Sequence, residues 1–264
     1  MNKLHISISA EPIFHLGNIP ISNSMLTGWM VSLLLVAWAI KVHADIKAKR
    51  QSALVTFTEF VIESLLNLIQ GITNNLKRAK EFLPLIATFF LFIILGNWIG
   101  LLPGVGTIGQ TIIEHGEAKF IPWFRGATAD LNTTLALALI SVGAAQFFGL
   151  KHLKLAYLKK FFNFDGPIQF FVGLLELISE FAKILSFAFR LFGNIFAGEV
   201  LLVVIAFLLP VIGPLPFLGL EIFVGFVQAL VFSLLTLVFL HMATIGHNEH
   251  ESGEEVIAHG SNGK

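Results

Sequence analysis

The sequence contains no cysteine and few charged residues. Without thiols it has no disulfide framework, no thiol chemistry and no cysteine-based metal site. Charged residues make up 13% of the 264 positions, against about 25% in soluble domains. The 17 basic and 17 acidic residues balance, so bulk charge indicates no nucleic-acid partner. The chain is instead 55% hydrophobic with a mean hydropathy of +0.81, which predicts an all-α, multi-pass integral membrane protein.

Five apolar stretches are long enough to cross a membrane, since about 20 helical residues span the hydrocarbon. They lie at residues 25–42, 82–102, 131–150, 168–209 and 217–242. As one helix, residues 168–209 would be about 60 Å long, twice the hydrocarbon thickness, so this helix must tilt, bend or lie partly in the membrane plane. The prolines after it, from Pro210 to Pro216, predict a hairpin with the last span.

Residues 53–80 form a different kind of segment. Polar residues recur there at intervals of three and four, which places them along one side of a helix: Glu59, Glu63, Asn67, Gln70 and Asn74. Apolar residues occupy the other side. The pattern predicts an amphipathic helix on the cytoplasmic side that lies on the membrane surface or packs on a partner.

Basic residues are distributed unevenly among the connections. Clusters of them follow the first span, the amphipathic segment and the span 131–150, whereas the opposite side carries only Lys3, Lys119 and Arg125. Under the positive-inside rule, residues 1–24 lie outside and the tail 246–264 lies in the cytoplasm. No basic n-region precedes the first span, so we expect no cleaved signal peptide.

One arginine falls at membrane depth, in the middle of residues 168–209. Arginine stays protonated in proteins, and a charge at that depth costs about 2.5 kcal/mol or more. Arg190 has no acidic residue three or four positions away, so its counter-charge must come from elsewhere. It belongs to a polar stripe at helical spacing: Glu176, Glu180, Lys183, Ser186, Arg190 and Asn194. The first two acids and Lys183 can neutralise one another near the cytoplasmic end.

An antiparallel hairpin about Pro210 would bring further polar residues together. Arg190 would face Gln228, and Glu199 would face Glu221 in a second layer nearer the outer side. Two facing acids at membrane depth would not both ionise readily, which suits groups that take up and release protons. Glu199 also has a simpler interpretation, as an acid near a helix end that reaches the headgroups.

Histidines near the C-terminus do not predict a metal site. The spacing of His241, His247, His250 and His259 fits no arrangement of ligands that we recognise. We therefore expect neither a metal nor another cofactor.

At these residues the sequence resembles subunit a of the F-type ATP synthases, the stator half of the membrane proton channel. The run Arg190-Leu191-Phe192-Gly193-Asn194, followed by Ala197-Gly198-Glu199, reads as the signature of that family. Residues 97–103 (NWIGLLP) and 129–134 (ADLNTT) are similar to other recurring stretches of it. Gln228 falls where the family has a glutamine on its last helix, and the likeness covers about residues 25–242.

The resemblance implies a role for each of these residues. Arg190 would face a ring of c subunits with Gln228 beside it, and the aqueous half-channels would be lined by Asn194, Glu199 and Glu221. Some family members have histidine at one of the two outer positions. Because both are acids here, the sequence leaves open which one relays the proton.

Two more residues are candidates for the outer channel entrance, again by resemblance. Asp130 and Asn132 fall in the ADLNTT stretch at the start of a predicted span. Asp130 fits equally well as the N-cap of that span.

The resemblance implies a non-catalytic, ion-translocating subunit. Its partners would be the c-ring, the b-type peripheral stalk, other ATP synthase subunits and membrane lipid, in a bacterial plasma (inner) membrane. Two alternatives remain: a stand-alone ion channel or secondary carrier in which Arg190 selects anions, and a sodium-coupled version of the same subunit. An integral-membrane enzyme has no support, because no nucleophile with its base and no metal cluster is evident.

Overall fold

The computed structural model describes most of the chain, namely residues 10–16, 19–102, 104–114, 117–154, 157, 161, 166–210 and 212–245. Within these residues, six helices are long and apolar enough to cross a membrane. The predicted all-α membrane fold is confirmed. The predicted tail 246–264 lies outside the described residues, as do residues 1–9.

The six long helices are α1 Asn23–Lys47, α2 Ala53–Thr73, α3 Leu76–Gly100, α4 Leu131–Leu153, α5 Pro167–Leu208 and α6 Pro214–Thr244. The first four begin at residues whose side chains accept a backbone N–H of the first turn: Ser22, Ser52, Asn75 and Asp130. The last two begin with proline, which has no N–H to leave unpaired in the first turn.

The predicted amphipathic helix 53–80 is in fact parts of two helices. Asn74 adopts a left-handed conformation with φ of 48° and ends α2. The Asn75 side chain then accepts the backbone N–H groups of Lys77 at 2.9 Å and Arg78 at 3.2 Å, which begins α3. The basic cluster therefore belongs to α3, which starts six residues before the predicted span at Phe82.

Two short β-hairpins lie outside the helices. β1 Pro12–Leu16 pairs antiparallel with β2 Ile19–Ser22, and β3 Gly109–Glu114 pairs antiparallel with β4 Glu117–Pro122. A short 3-10 helix, Ala127–Ala129, follows the second hairpin. The connection between α3 and α4 thus contains a strand pair, because its β-branched run Thr111-Ile112-Ile113 favours a strand.

The two hairpins lie at the same end of the molecule. Gln110 Nε2 in β3 donates to the backbone oxygen of Ile13 in β1 at 3.1 Å. Asn23 Nδ2 at the start of α1 donates to the backbone oxygen of Pro122 at 3.3 Å. This end also contains the last turns of α3 and the start of α4, because both flank the β3–β4 connection.

Aromatic rings hold the central helices together. Phe187 of α5 contacts Phe232 and Phe239 of α6, with ring centroids 5.0 and 5.3 Å apart. Phe89 of α3 packs on the same Phe232 ring at 5.4 Å. Leu191, one turn after Phe187, is fully buried. These contacts fix the position of α5 along α6, and with it the depth of Arg190 relative to its neighbours.

Helix α2 buries one side against the other helices. Its Ile69 packs in a cluster with Phe82 and Ile86 of α3 and Leu237 and Leu240 of α6. Phe82 and Ile86 lie in the half of α3 that carries the basic cluster. The polar stripe of the helix is exposed throughout: Glu59, Glu63, Asn67, Gln70 and Asn74.

Candidate functional site

Helices α5 and α6 form an antiparallel pair, as the prolines between them predicted. Lys183 lies over the Phe239 ring at 4.9 Å, and one turn later Phe187 contacts Phe232. Two turns further along α5, Asn194 Nδ2 donates to Gln228 Oε1 at 2.6 Å. Contacts therefore move towards the start of α6 as α5 proceeds, and α5 is one continuous helix of 42 residues.

Arg190 is exposed on the surface of α5. Within the described part of the chain it forms no hydrogen bond or ion pair. The predicted pairing of Arg190 with Gln228 is corrected by one turn, since Gln228 is hydrogen-bonded to Asn194. The aromatic contacts of Phe187 set this register, and they leave the guanidinium facing outwards from the chain.

The first half of the polar stripe neutralises itself. Lys183 Nζ donates to Glu180 Oε1 at 2.7 Å, at the i, i+3 spacing that the sequence predicted. The ammonium group also lies over the Phe239 ring, which favours a cation. Of the two cations in the stripe, Lys183 is therefore paired, whereas Arg190 has no ion-pair partner among the described residues.

Glu199 and Glu221 line the same small cavity, so the two acids lie near each other as the hairpin predicted. The cavity has a volume of about 20 Å³, which is room for a single water molecule. Its wall also includes Asn97 near the end of α3 and Gly126 from the segment before α4, with further contacts from Gly100, Leu101 and Ile195. Acidic and amide oxygens thus converge on a space that can hold water.

Close approach of α5 and α6 depends on Gly198. The carboxyl group of Glu221 lies directly against its Cα, where any larger residue would place a Cβ atom. Glu221 is only 6% exposed in consequence. Its Oε1 has no hydrogen-bond partner among the described residues. The glycine in the sequence signature therefore makes room for a buried acid on the neighbouring helix.

Glu199 has a partner that sequence reasoning missed. Nε and Nη2 of Arg125 both lie 3.0 Å from Glu199 Oε2. The guanidinium also lies 5.9 Å from the centroid of the Phe196 ring, one turn earlier on α5. In the sequence, Arg125 counted only as a cation on the outer side. The sequence did contain a signal for Arg125 as a site residue, because cations are scarce on the predicted outer side and Arg125 lies close to the start of the span at residue 131.

Asn97 ties α3 to α6 and to the 3-10 helix. Its Nδ2 donates to the backbone oxygen of Gly225 at 3.0 Å, and its Oδ1 accepts a hydrogen bond from Thr128 Oγ1. The neighbouring Trp98 Nε1 donates to the backbone oxygen of Ile222 at 3.0 Å. These bonds hold the NWIGLLP stretch against the helix turns that carry Glu221.

Asp130 is the N-cap of α4. Its Oδ1 accepts the backbone N–H of Asn132 at 3.1 Å and the Asn132 side-chain amide at 3.3 Å. Its Oδ2 accepts Ser24 Oγ at 2.9 Å. The structural role predicted for Asp130 is confirmed. Both residues also line an open cavity of about 510 Å³ between α1, α4 and the β1–β2 hairpin.

Comparison with known proteins gives the family. The model of the family described as "ATP synthase A chain" matches residues 25–241. This chain belongs to the ATP synthase A chain family. A protein of Gloeobacter violaceus named "ATP synthase subunit a" is 34% identical over 228 residues, which cover 86% of this chain and 85% of that protein. One of the same name from Moorella thermoacetica is 31% identical over 238 residues, covering 89% and 96%.

The family resemblance seen in the sequence is therefore confirmed. In the structure, the stretches that carried it come together around α5 and α6. The NWIGLLP stretch contributes Asn97 to the small cavity, and the signature of α5 contributes Glu199. The ADLNTT stretch begins α4 with Asp130. Of the C-terminal histidines, His247, His250 and His259 lie outside the described residues.

Proposed function

We propose that this member of the ATP synthase A chain family is the proton-channel subunit a of an F-type ATP synthase. It forms two aqueous half-channels against a ring of c subunits, so that proton flow drives rotation of the ring and ATP synthesis. The subunit catalyses no reaction itself. The observation that carries the proposal is Arg190, a permanent cation on the exposed side of a long apolar helix.

The charge of Arg190 explains how flow and rotation are coupled. A carboxyl group on the ring stays neutral while it faces lipid, because a bare charge there is too costly. When it reaches Arg190, the fixed cation favours its ionised form, and the proton leaves into one half-channel. The carboxylate then passes Arg190 and takes a proton from the other half-channel. Each charge moved through 100 mV supplies about 2.3 kcal/mol.

The polar residues of α5 and α6 would line the water paths. Asn194 and Gln228, hydrogen-bonded beside Arg190, form the layer next to the ring. Glu199 and Glu221 belong to the outer half-channel, through the cavity that they share. Asp130 also lines the larger opening between α1 and α4. Its role as N-cap is compatible with a place at the channel entrance, which we propose for it and for Asn132.

The proposed setting is a bacterial plasma (inner) membrane, with the N-terminus outside and the C-terminus in the cytoplasm. The basic clusters after α1, at the start of α3 and at the end of α4 support this orientation. Besides the c-ring, the partners are the b-type peripheral stalk and the other synthase subunits. Residues 168–209 form the long tilted helix, and α2 lies on the cytoplasmic side.

Cysteine cross-linking tests the position of the ring, and the chain has no cysteine of its own. One cysteine replaces the exposed Asn194, next to Arg190, and a second is moved along the outer helix of the c subunit. We expect disulfides on one face of that helix, centred on the ring carboxylate. Leu191→Cys is the matched control and should not cross-link, because Leu191 is 0% exposed.

Reconstitution of the chain alone, together with the cross-linking, separates the proposal from a stand-alone carrier. A carrier would transport ions when this chain is reconstituted alone, whereas a channel subunit needs the ring. No cross-link at any position in an assembled, active complex would mean that the Arg190 face does not meet the ring. The proposed function would then be abandoned.

A further inference from the structure

The two acids of the outer layer have different surroundings. Glu199 forms a two-pronged ion pair, because Nε and Nη2 of Arg125 both lie 3.0 Å from its Oε2. The Arg125 and Glu199 side chains are 12% and 28% exposed. Removing one member of a partly buried pair leaves the other charge uncompensated, which is strongly unfavourable. The nearby charge of Arg125 therefore favours the ionised form of Glu199.

The backbone at Arg125 is fixed by contacts with other helices. The backbone N–H of Arg125 donates to Thr27 Oγ1 of α1 at 3.3 Å, and Thr27 Oγ1 donates to the backbone oxygen of Asn23 at 3.1 Å. The next residue, Gly126, packs closely on Gly100 at the end of α3. Contacts with α1 and with the end of α3 thus fix the position from which the Arg125 side chain extends towards Glu199.

Glu221 has no such partner. It is 6% exposed, its Oε1 accepts no hydrogen bond from the described residues, and it borders the same cavity as Glu199. The described charged groups near it are Glu199 on α5 and, behind Glu199, Arg125; Asn97 of α3 is neutral. A carboxyl group in such a position can gain or lose a proton without breaking an ion pair.

We propose that Arg125 is a positioning residue that holds Glu199 as a fixed anion, so that Glu221 is the carboxyl group that exchanges protons with the water of the outer half-channel. The inference rests on the proposed function. It assigns a different role to each acid, whereas the sequence leaves open which of the two relays the proton. In the wild type, the charge of Glu199 serves to neutralise Arg125, which would otherwise bind the carboxylate of Glu221 and stop its exchange.

Charge-pair variants of the whole complex in inverted membrane vesicles test this division. Arg125→Gln and Glu199→Gln should each lower ATP-driven proton pumping by roughly tenfold or more, because each leaves a partly buried charge uncompensated. The double variant Arg125→Gln/Glu199→Gln should recover most of the pumping, since both charges are gone. Glu221→Gln should slow pumping strongly in either background. Arg78→Gln, at the basic start of α3, is the matched control and should pump normally.

A pH profile distinguishes proton exchange from a purely structural role. Histidine changes its charge between about pH 5 and 8. Glu221→His should therefore make the pumping rate depend on pH across that range. Glu199→His in the Arg125→Gln background should keep the profile of the double variant. Assembly is checked first from the amount of c-ring that copurifies with each variant.

Two results would overturn the inference. One is a double variant that assembles but pumps no better than Glu199→Gln, while Glu221→Gln pumps well. The other is a pH profile that moves with a histidine at position 199 and not with one at position 221. Neither would affect the proposed function, which fails separately if Arg190→Ala in the same vesicles pumps normally.

Discussion

At the scale of single residues, the fold gives three charged or ionisable groups three different environments. Arg190 is exposed, without a partner among the described residues, on a helix long enough to cross the membrane. Glu199 is paired with Arg125, and Glu221 is buried against Gly198. An unbalanced cation on an exposed helix face is available to pair with an anion of another chain. An unpaired buried acid calls for a proton or a water molecule.

The first residue-scale prediction concerns Arg190. Arg190→Ala should abolish both ATP synthesis and ATP-driven pumping while the complex still assembles, because no fixed cation then drives the ring carboxylate to release its proton. Passive proton leak should persist or rise. Arg190→Lys should also fail to restore full activity, because a desolvated lysine can lose its proton. Near-normal ATP synthesis by the alanine variant in vesicles would contradict the mechanism.

The second prediction concerns the outer acids. Glu199→Gln and Glu221→Gln should each slow passive proton flux through the membrane sector, and the double replacement should slow it further. The reason is that each change removes one carboxylate from the cavity that the two share. Flux can be measured from the decay of a pH gradient in stripped vesicles. Unaltered flux in the double variant would place both residues outside the proton path.

At the scale of elements, the functional geometry depends on where helices begin and how closely they pack. Asn74 and Asn75 end α2 and begin α3, which moves the basic cluster onto a spanning helix. Asp130 begins α4 beside the larger opening. Gly198 lets α5 approach the acid on α6. These are local features, and single substitutions can test each of them.

Gly198→Ala tests the packing of the helix pair. The new methyl group would overlap the Glu221 carboxyl, and overpacking costs about 1–3 kcal/mol. We expect less assembled complex and slower proton flux. Gly219→Ala, on α6 with nothing within 4 Å of the added atom, is the control and should assemble normally. Adding Glu221→Ala to Gly198→Ala should restore assembly but not flux, and a failure to restore assembly would contradict this account of the contact.

Asp130 can be tested for its two roles separately. Asp130→Ala removes the N-cap of α4 and should destabilise the subunit by about 1 kcal/mol. Asp130→Asn keeps an oxygen for the backbone N–H of Asn132 but removes the charge. We expect it to preserve thermal stability, measured by melting of the detergent-purified complex, and to slow proton entry. Unchanged flux in the asparagine variant would leave Asp130 with the capping role alone.

At the scale of the whole molecule, charges and polar contacts are separated along the helices. Both β-hairpins, the Arg125–Glu199 pair and the start of α4 gather at one end. The basic start of α3 and the end of α4 lie at the other, where Lys151 pairs with Glu81 at 2.6 Å. Basic residues are therefore concentrated at one end of the molecule, which is the feature that the proposed orientation uses.

Labelling with a membrane-impermeant maleimide tests this orientation. Thr107→Cys and Lys49→Cys both replace exposed residues, at opposite ends of the molecule, in a chain with no other cysteine. We expect Thr107→Cys to react from the outside of intact cells. Lys49→Cys should react only in inverted vesicles. The reverse pattern would show that the subunit lies the other way round.

The sequence alone determined the membrane class, the five long apolar helices, the antiparallel pairing of the last two and the family. These follow from apolar length, prolines and a linear signature, all of which are local. The tertiary structure alone decided which polar groups meet. Arg125 reaches Glu199 across 74 positions, Asn194 takes the place beside Gln228, and Glu221 Oε1 has no hydrogen-bond partner among the described residues. These contacts depend on the register between neighbouring helices and on how the loops pack against them. A shift of one helical turn changes every neighbour, and the periodicity within one segment does not specify that shift.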